Sequence, residues 1–376
     1  MDVKLAEDQK TGKPSPAALR AALDDAARFD ETLRVSDAMF DAMLTRFVPS
    51  IDYSRDVLFR RLIEGEPAVL KGIPAPTRGL LAGLPTDEIA PQLLAWMLRR
   101  RSRTRYRVYG GKGSARRYLT LREAAESWSR GQAVFGVADL HIRDTVMEEI
   151  IDPDALAPFN LLTIASPDVQ LQEMNSLVIS SRGYVTDSHS DDPDSTNYCF
   201  TGRKLWVAWE TQEGLSKGLE DVEHLEIKGR ARFDLRTWVK LDSARWFLVG
   251  PGETLYFPAH LTHKVVTIEP YLGVGGFFFC LPGAFRVLSH WLRNGPLWSK
   301  HDRTGRNAHL VDEIADVALK TMRRPPVTPG RGQDWGRDCL GPAAERFLRS
   351  CTDADLGLLR ANRGFSQLLD RAAAGS

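Results

Sequence analysis

Residues 252–263 read Gly252-Glu253-Thr254-Leu255-Tyr256-Phe257-Pro258-Ala259-His260-Leu261-Thr262-His263. A β-branched and aromatic run, Thr254–Phe257, lies between a glycine and a proline that cannot donate to a ladder, which is the pattern of a short strand between breakers. The same composition recurs from about Leu171 to Val287: Asn175–Ser180, Lys204–Trp209, Trp246–Val249, Val265–Ile268 and Gly275–Cys280 alternate with Gly, Pro and Asp breakers. Short strands at this spacing predict a β-sandwich or barrel.

Outward from this core the period changes. Pro16-Ala17-Ala18-Leu19-Arg20-Ala21-Ala22-Leu23 is rich in helix formers, with Ser15 placed as N-cap and Pro16 at the first helical position. A second helical run spans about Ser36 to Phe47, its apolar positions recurring at three and four residues. Glu66-Pro67-Ala68-Val69-Leu70-Lys71-Gly72 reads as a short strand, and Thr86-Asp87-Glu88 caps a helix through Leu93, Leu94, Trp96 and Met97. Beyond Pro282, the segments Ala284–Leu292, Leu310–Met322 and Pro342–Ala373 read as helical, with Arg324-Pro325-Pro326-Val327-Thr328-Pro329-Gly330 as a linker. The expected class is α+β in four segments: a helical region over 1–60, a mixed lead-in over 61–170, a β core over 171–290 and a C-terminal helical region over 291–376. No internal repeat is visible.

Of the 376 residues, 43% are hydrophobic and 26% charged, enough to build a core and to exclude global disorder. Fifty basic residues against 49 acidic leave a net charge of +1, so the whole chain has no footprint for indiscriminate nucleic-acid binding. Arg99, Arg100, Arg101, Arg103, Arg105 and Arg107 read first as a helix C-terminus running into a solvated strand, and second as a phosphate-binding patch. Gly110-Gly111-Lys112-Gly113 lacks phosphate-loop spacing and reads as a hairpin turn. No apolar run approaches about 18 residues, the N-terminus lacks a signal-peptide core, and Cys199, Cys280, Cys339 and Cys351 form no CxxC pair. The expectation is an intracellular chain with reduced thiols, cytoplasmic or nuclear, with no membrane span.

The chemistry sits in the β core. His189-Ser190-Asp191 follows a strand, and His263 lies beside another. Residues i and i+2 of an extended strand share a face, so His189 and Asp191 converge. A third ligand from a distant strand would complete the two-histidine, one-carboxylate set that holds non-haem Fe(II) with positions left open. No thiolate lies nearby to favour zinc. His260 competes with His263 for the third place. His141, His224, His290, His301 and His309 have no partners at ligand spacing.

An HxD tripeptide alone is weak in a chain with 8 histidines, and its flanks carry more. Thr186 lies three residues before His189. Lys204 lies fifteen after it, in Thr201-Gly202-Arg203-Lys204-Leu205-Trp206, and the strand quoted first runs through Pro258 to His263. In these elements the sequence resembles the JmjC-domain oxygenases, which are built on a double-stranded β-helix of the cupin (jelly-roll) kind. Members of that family have Thr three before the first iron ligand, HxD, a G-x-K-x-W-like stretch, and a G-(E/D/Q)-T-L-(F/Y)-x-P strand with the third ligand five residues past its proline. Gly275-Gly276-Phe277-Phe278 is similar to the family's following strand. The resemblance spans about 171–290, a third of the chain, with weaker support at Gly65–Gly72.

What the resemblance implies is a metal site of His189, Asp191 and His263, the offset from Pro258 favouring His263 over His260. It implies Fe(II), 2-oxoglutarate as cosubstrate and O2. Lys204 and Thr186 would hold the distal carboxylate of 2-oxoglutarate, and Asn197 would donate near its iron-proximal end. Each has a plainer reading: Lys204 as a surface lysine, Thr186 as an ordinary strand residue, Asn197 as a turn residue in Asp194-Ser195-Thr196-Asn197. The expected activity is hydroxylation of a C–H bond in a protein side chain or small molecule. N-methyl-lysine demethylation is the alternative, and a non-catalytic metal- or ligand-binding scaffold is the alternative of another class. The C-terminal helices resemble those that pair some members into homodimers. The acidic insert Glu210, Glu213, Glu220, Asp221, Glu223 and Glu226 reads as a solvated loop or as a surface for a cationic substrate.

Overall fold

The first helix, α1 (Pro16–Ala27), starts where the sequence predicts: Ser15 Oγ accepts from the Ala18 N–H at 3.2 Å, and Leu19, Ala22, Leu23 and Ala26 form its buried stripe. In the computed structural model the described residues are 14–110, 117–131, 134–142, 145–152, 155–156, 176–191, 193–222 and 231–278, with isolated positions 353, 366 and 370. The helices expected at Ala284–Leu292, Leu310–Met322 and Pro342–Ala373 lie outside them, as do the linker 324–330, Cys280, Cys339, Cys351, Glu223 and Glu226. Further helices are α2 (Asp37–Thr45), α3 (Arg55–Glu64), α4 (Thr86–Arg99) and α5 (Leu121–Arg130). Thr86, expected as part of a cap, is the first residue of α4, with Pro85 before it; Asp87 and Glu88 still lie in the first turn, where the helix dipole favours them.

The strands are β1 (Ile51–Asp52), β2 (Ala68–Lys71), β3 (Tyr106–Gly110), β4 (Arg117–Leu119), β5 (Phe135–His141), β6 (Ser176–Ser180), β7 (Val185–His189), β8 (Asp194–Glu210), β9 (Arg245–Val249), β10 (Glu253–Phe257) and β11 (Leu261–Phe278). They form one 11-stranded sheet in the order β1-β2-β10-β8-β11-β6-β5-β3-β4, with β7 on β11 and β9 on β8. Among the described strands only β1–β2 pair in parallel; the other strand pairings are antiparallel. The chain is thus a mixed α/β protein with one large, mostly antiparallel sheet. β3 and β4 pair antiparallel; the glycine-rich segment read as a hairpin turn lies, from Gly111 on, outside the described residues.

The spine is the ladder between β8 (17 residues) and β11 (18 residues). Register shifts near Thr267, Glu269 and Leu272 break it into two halves. On one side of the break β8 pairs with β10 and β11 with β6; on the other β8 pairs with β9 and β11 with β7. Gly202 sits at the break with φ 83°, and a Cβ there would lie 2.0 Å from the Pro270 carbonyl oxygen, so only glycine fits.

The halves have two clothed faces. On the outer face, Leu205, Val207, Trp246 and Val266 pack against Leu19, Leu23 and Met43 of α1 and α2. Trp246 Nε1 donates to the Met43 carbonyl at 2.7 Å and its ring packs on Phe47, centroids 4.8 Å apart. On the inner face lie Cys199, Trp206, Phe247, Leu255, Phe257, Val265 and Tyr271. Among the described residues no helix is long and apolar enough to cross a membrane.

Candidate metal centre

β11 runs antiparallel to β7 with His263 directly opposite His189, and the next matched pair is Val265 opposite Thr186. Two residues of β11 therefore span three of β7, which is a bulge. Opposed residues of an antiparallel pair share a face, so this bulge puts Thr186 and His189, three apart, on the inner face with Val265. Val185, opposite Val266, packs on the outer cluster.

His189, at the end of β7, Asp191 just beyond it and His263 on β11 offer ligand atoms that all lie within 4.8 Å of one another. Asp191 Oδ2 is 3.9 Å from His189 Nε2 and 3.8 Å from His263 Nε2. His189 Nδ1 lies 2.9 Å from the Asp187 carbonyl, and His263 Nδ1 lies 3.2 Å from that of Leu261. A carbonyl only accepts, so each ring carries a proton on Nδ1 and turns its Nε2 towards Asp191. Two Nε2 atoms and a carboxylate facing one point can share a cation. This donor set fits a divalent metal, and the carbonyls fix the rings as second-layer partners of metal-binding histidines do. The chain thus holds a His189–Asp191–His263 cluster that can bind a metal ion.

Packing sets the His263 ring firmly. His263 is buried, stacked 5.2 Å from Trp206 and edge-on to Phe257 at 4.7 Å. Burial, then the neighbouring His189, hold its imidazole well below the usual histidine range, so it is neutral and able to ligate. Burial raises the Asp191 carboxyl; His189 opposes that shift and Asp221 adds to it. His260, the rival ligand, is not in the cluster. It adopts φ 61° in the turn before β11, where its N–H donates to the Asp191 carbonyl at 3.1 Å.

Lys204 lies on β8 opposite Thr267, four residues along β11 from His263. It is 7% exposed, which answers the surface-lysine reading. Its Nζ stands 4.3 Å above the Tyr271 ring, and burial lowers its pKa to about 8. Among the described residues no carboxylate forms an ion pair with it. Asn197 lies inside β8 rather than in a turn, and its Oδ1 accepts a hydrogen bond from Tyr271 Oη. Lys204 and Asn197 therefore meet at Tyr271; among the described residues no hydrogen bond joins Thr186 to either. Cys199 is buried in the same layer, its thiol pushed up by burial.

Sequence reasoning missed Tyr271, whose place under Lys204 follows from the register shifts between β8 and β11 and from no motif. It also missed the backing of the site. The acidic insert is structural where described: Glu213 accepts from the Asp242 and Ser243 N–H groups at 2.8 and 3.1 Å, and Asp221 is 1% exposed. Lys264, next to His263, pairs with Asp187 at 3.0 Å and with Asp30 at 2.8 Å. In the arginine-rich stretch, Arg100 packs on Trp96 and Arg107 on Tyr109. No protein-family model matches the chain, and no curated protein matches it.

Proposed function

We propose that the chain is an Fe(II)- and 2-oxoglutarate-dependent dioxygenase of the JmjC kind, its sheet coiled as a double-stranded β-helix, that hydroxylates a C–H bond of a protein side chain or small molecule. The observation that carries this reading is the pairing of two features on one inner face. A two-histidine, one-carboxylate cluster has both Nε2 atoms presented, and a buried Lys204 has no anionic partner among the described residues.

The net reaction is RH + O2 + 2-oxoglutarate → ROH + succinate + CO2, and bound Fe(II) supplies its redox chemistry. His189, Asp191 and His263 would hold the cation with three ligands, a set that leaves positions open for cosubstrate and oxygen. Trp206 and Phe257 close the apolar wall behind His263 and exclude water from it. Lys204 supplies the charge for a carboxylate. Four residues of strand separate its row from that of His263, about 13 Å, a span within reach of a five-carbon dicarboxylate and a lysine stem together. Tyr271 fixes the Asn197 amide through its oxygen, which leaves the NH2 group as a donor.

The test is aerobic incubation of the protein with Fe(II), 2-oxoglutarate and cell extract. Succinate should form in an iron-dependent manner, with a +16 Da product. Formaldehyde formed in step with succinate on a methyl-lysine peptide would replace hydroxylation by demethylation. Metal binding without any turnover of 2-oxoglutarate would leave a scaffold.

A further inference from the structure

We propose that Asp221 is a positioning residue for the metal centre: a single carboxylate oxygen ties the two ligand-bearing segments together from behind. This rests on the reading of His189, Asp191 and His263 as metal ligands. Asp221 Oδ2 accepts from Ser190 Oγ at 2.9 Å and from Thr262 Oγ1 at 3.0 Å. Ser190 is the residue between His189 and Asp191, and Thr262 is the residue before His263. Asp221, Ser190 and Thr262 are all less than 5% exposed, so water does not compete for these bonds.

The carboxylate is itself fixed. The N–H of the following residue, Val222, donates to the Ser188 carbonyl at 2.8 Å, which binds this segment to β7. Thr262 Oγ1 also lies 2.9 Å from Thr211 Oγ1, and Thr211 donates to the His260 carbonyl at 2.8 Å, so the turn leading into β11 belongs to the same network. Asp221 holds one end of the ligand row as the Lys264–Asp187 pair holds the other. The register of β7 against β11 sets the separation of the ligands along the strands. The bulge beside His189 loosens that register, and a tie between the two flanks restores it.

Co(II) is the probe, because its visible bands report coordination geometry and its titration gives affinity without turnover. Wild-type protein should bind one Co(II). Asp221→Ala should bind it about 10–100-fold more weakly, with altered visible bands. Asp221→Asn, which keeps an oxygen to accept from both hydroxyls, should recover most of the affinity. Ser190→Ala and Thr262→Val cut one arm each without removing the carboxylate, so they decide the matter if Asp221→Ala does not fold; each should weaken binding several-fold. Unchanged Co(II) affinity and spectrum in the folded variants, even with a lowered melting temperature, would overturn the positioning role and leave the metal site intact. Failure of the wild-type protein itself to bind Co(II) would overturn the metal site, and this proposal with it.

Discussion

His189 and His263 stand directly across one antiparallel pair with ring centroids 4.1 Å apart, each ring holding its proton against the carbonyl two residues before it. The rings are set in advance, so a cation gains three converging ligands with little left to order. Binding to the folded state alone then raises stability by about 2.7 kcal/mol at a hundredfold excess over Kd.

The first prediction is a metal-dependent rise in melting temperature on adding Fe(II) or Co(II) without oxygen. Asp191→Ala should abolish the rise. His260→Ala should keep it, since the backbone of His260 and not its ring serves the cluster. A rise lost in His260→Ala and kept in His263→Ala would reassign the third ligand.

Lys204→Met should separate stability from binding. A buried ammonium without a carboxylate partner costs the fold, and an apolar side chain of similar length should stabilise the metal-free protein by roughly 1–4 kcal/mol at pH 7. The same change should remove 2-oxoglutarate binding, measured by calorimetry. A destabilised Met variant that still binds the cosubstrate would place the anchor elsewhere.

The pH dependence follows from the same lysine. Its folded pKa is lowered to about 8, mainly by burial, from an ordinary 10.5. Binding of a carboxylate needs the ammonium, so 2-oxoglutarate affinity should fall about tenfold per pH unit above 8. Between about 8 and 10.5 the unfolded chain holds the extra proton, so this group makes the metal-free fold more stable as pH rises through that window. Lys204→Arg, which stays charged, should bind with a flat pH profile if the guanidinium fits. Wild-type affinity constant from pH 7 to 9.5 would rule Lys204 out.

Tyr271→Phe removes the donor to Asn197 and keeps the ring under Lys204. Asn197 is half-buried, so leaving its amide oxygen unsatisfied should cost no more than about 1 kcal/mol, the low end for a buried group. The expected readout is weaker 2-oxoglutarate binding with unchanged Co(II) affinity. Equal binding in both would make the hydroxyl purely a packing feature.

Much of this was legible in the sequence where local rules suffice. The Ser15 cap, the β2 strand and the cores of β8 to β11 follow from propensity and breakers, and His189, Asp191 and His263 converge as their spacing suggested. The spacing did not show that β8 and β11 are single long strands, because Gly202 and Pro270 look like strand ends and in fact lie inside the two strands, where the register of their ladder shifts. β5 was missed because Gly136 and Asp139 interrupt the apolar alternation of Phe135–His141. Asp221 was hidden among acidic neighbours: burial comes from three-dimensional packing, and a carboxylate inside the protein reads the same in sequence as one in solvent.

The fold's own weak point should be Trp246. It joins β9 to α2 through its ring and its bond to Met43, so Trp246→Ala should cost about 3–5 kcal/mol in denaturant unfolding. A loss under 1 kcal/mol would mean that α2 contributes little to the sheet's outer face.

Seventy-two positions of chain separate Asp191 from His263, and the β7–β11 pairing that brings their segments together is long-range. Closing so long a loop is entropically costly and slow compared with forming the β3–β4 hairpin or the helices. During synthesis, at about 5–20 residues per second, a chain that has not yet emerged past residue 263 carries two ligands and no third. An ion held by all three residues would therefore load only after the long-range ladder closes, and its capture would double as a clock for the completion of the sheet.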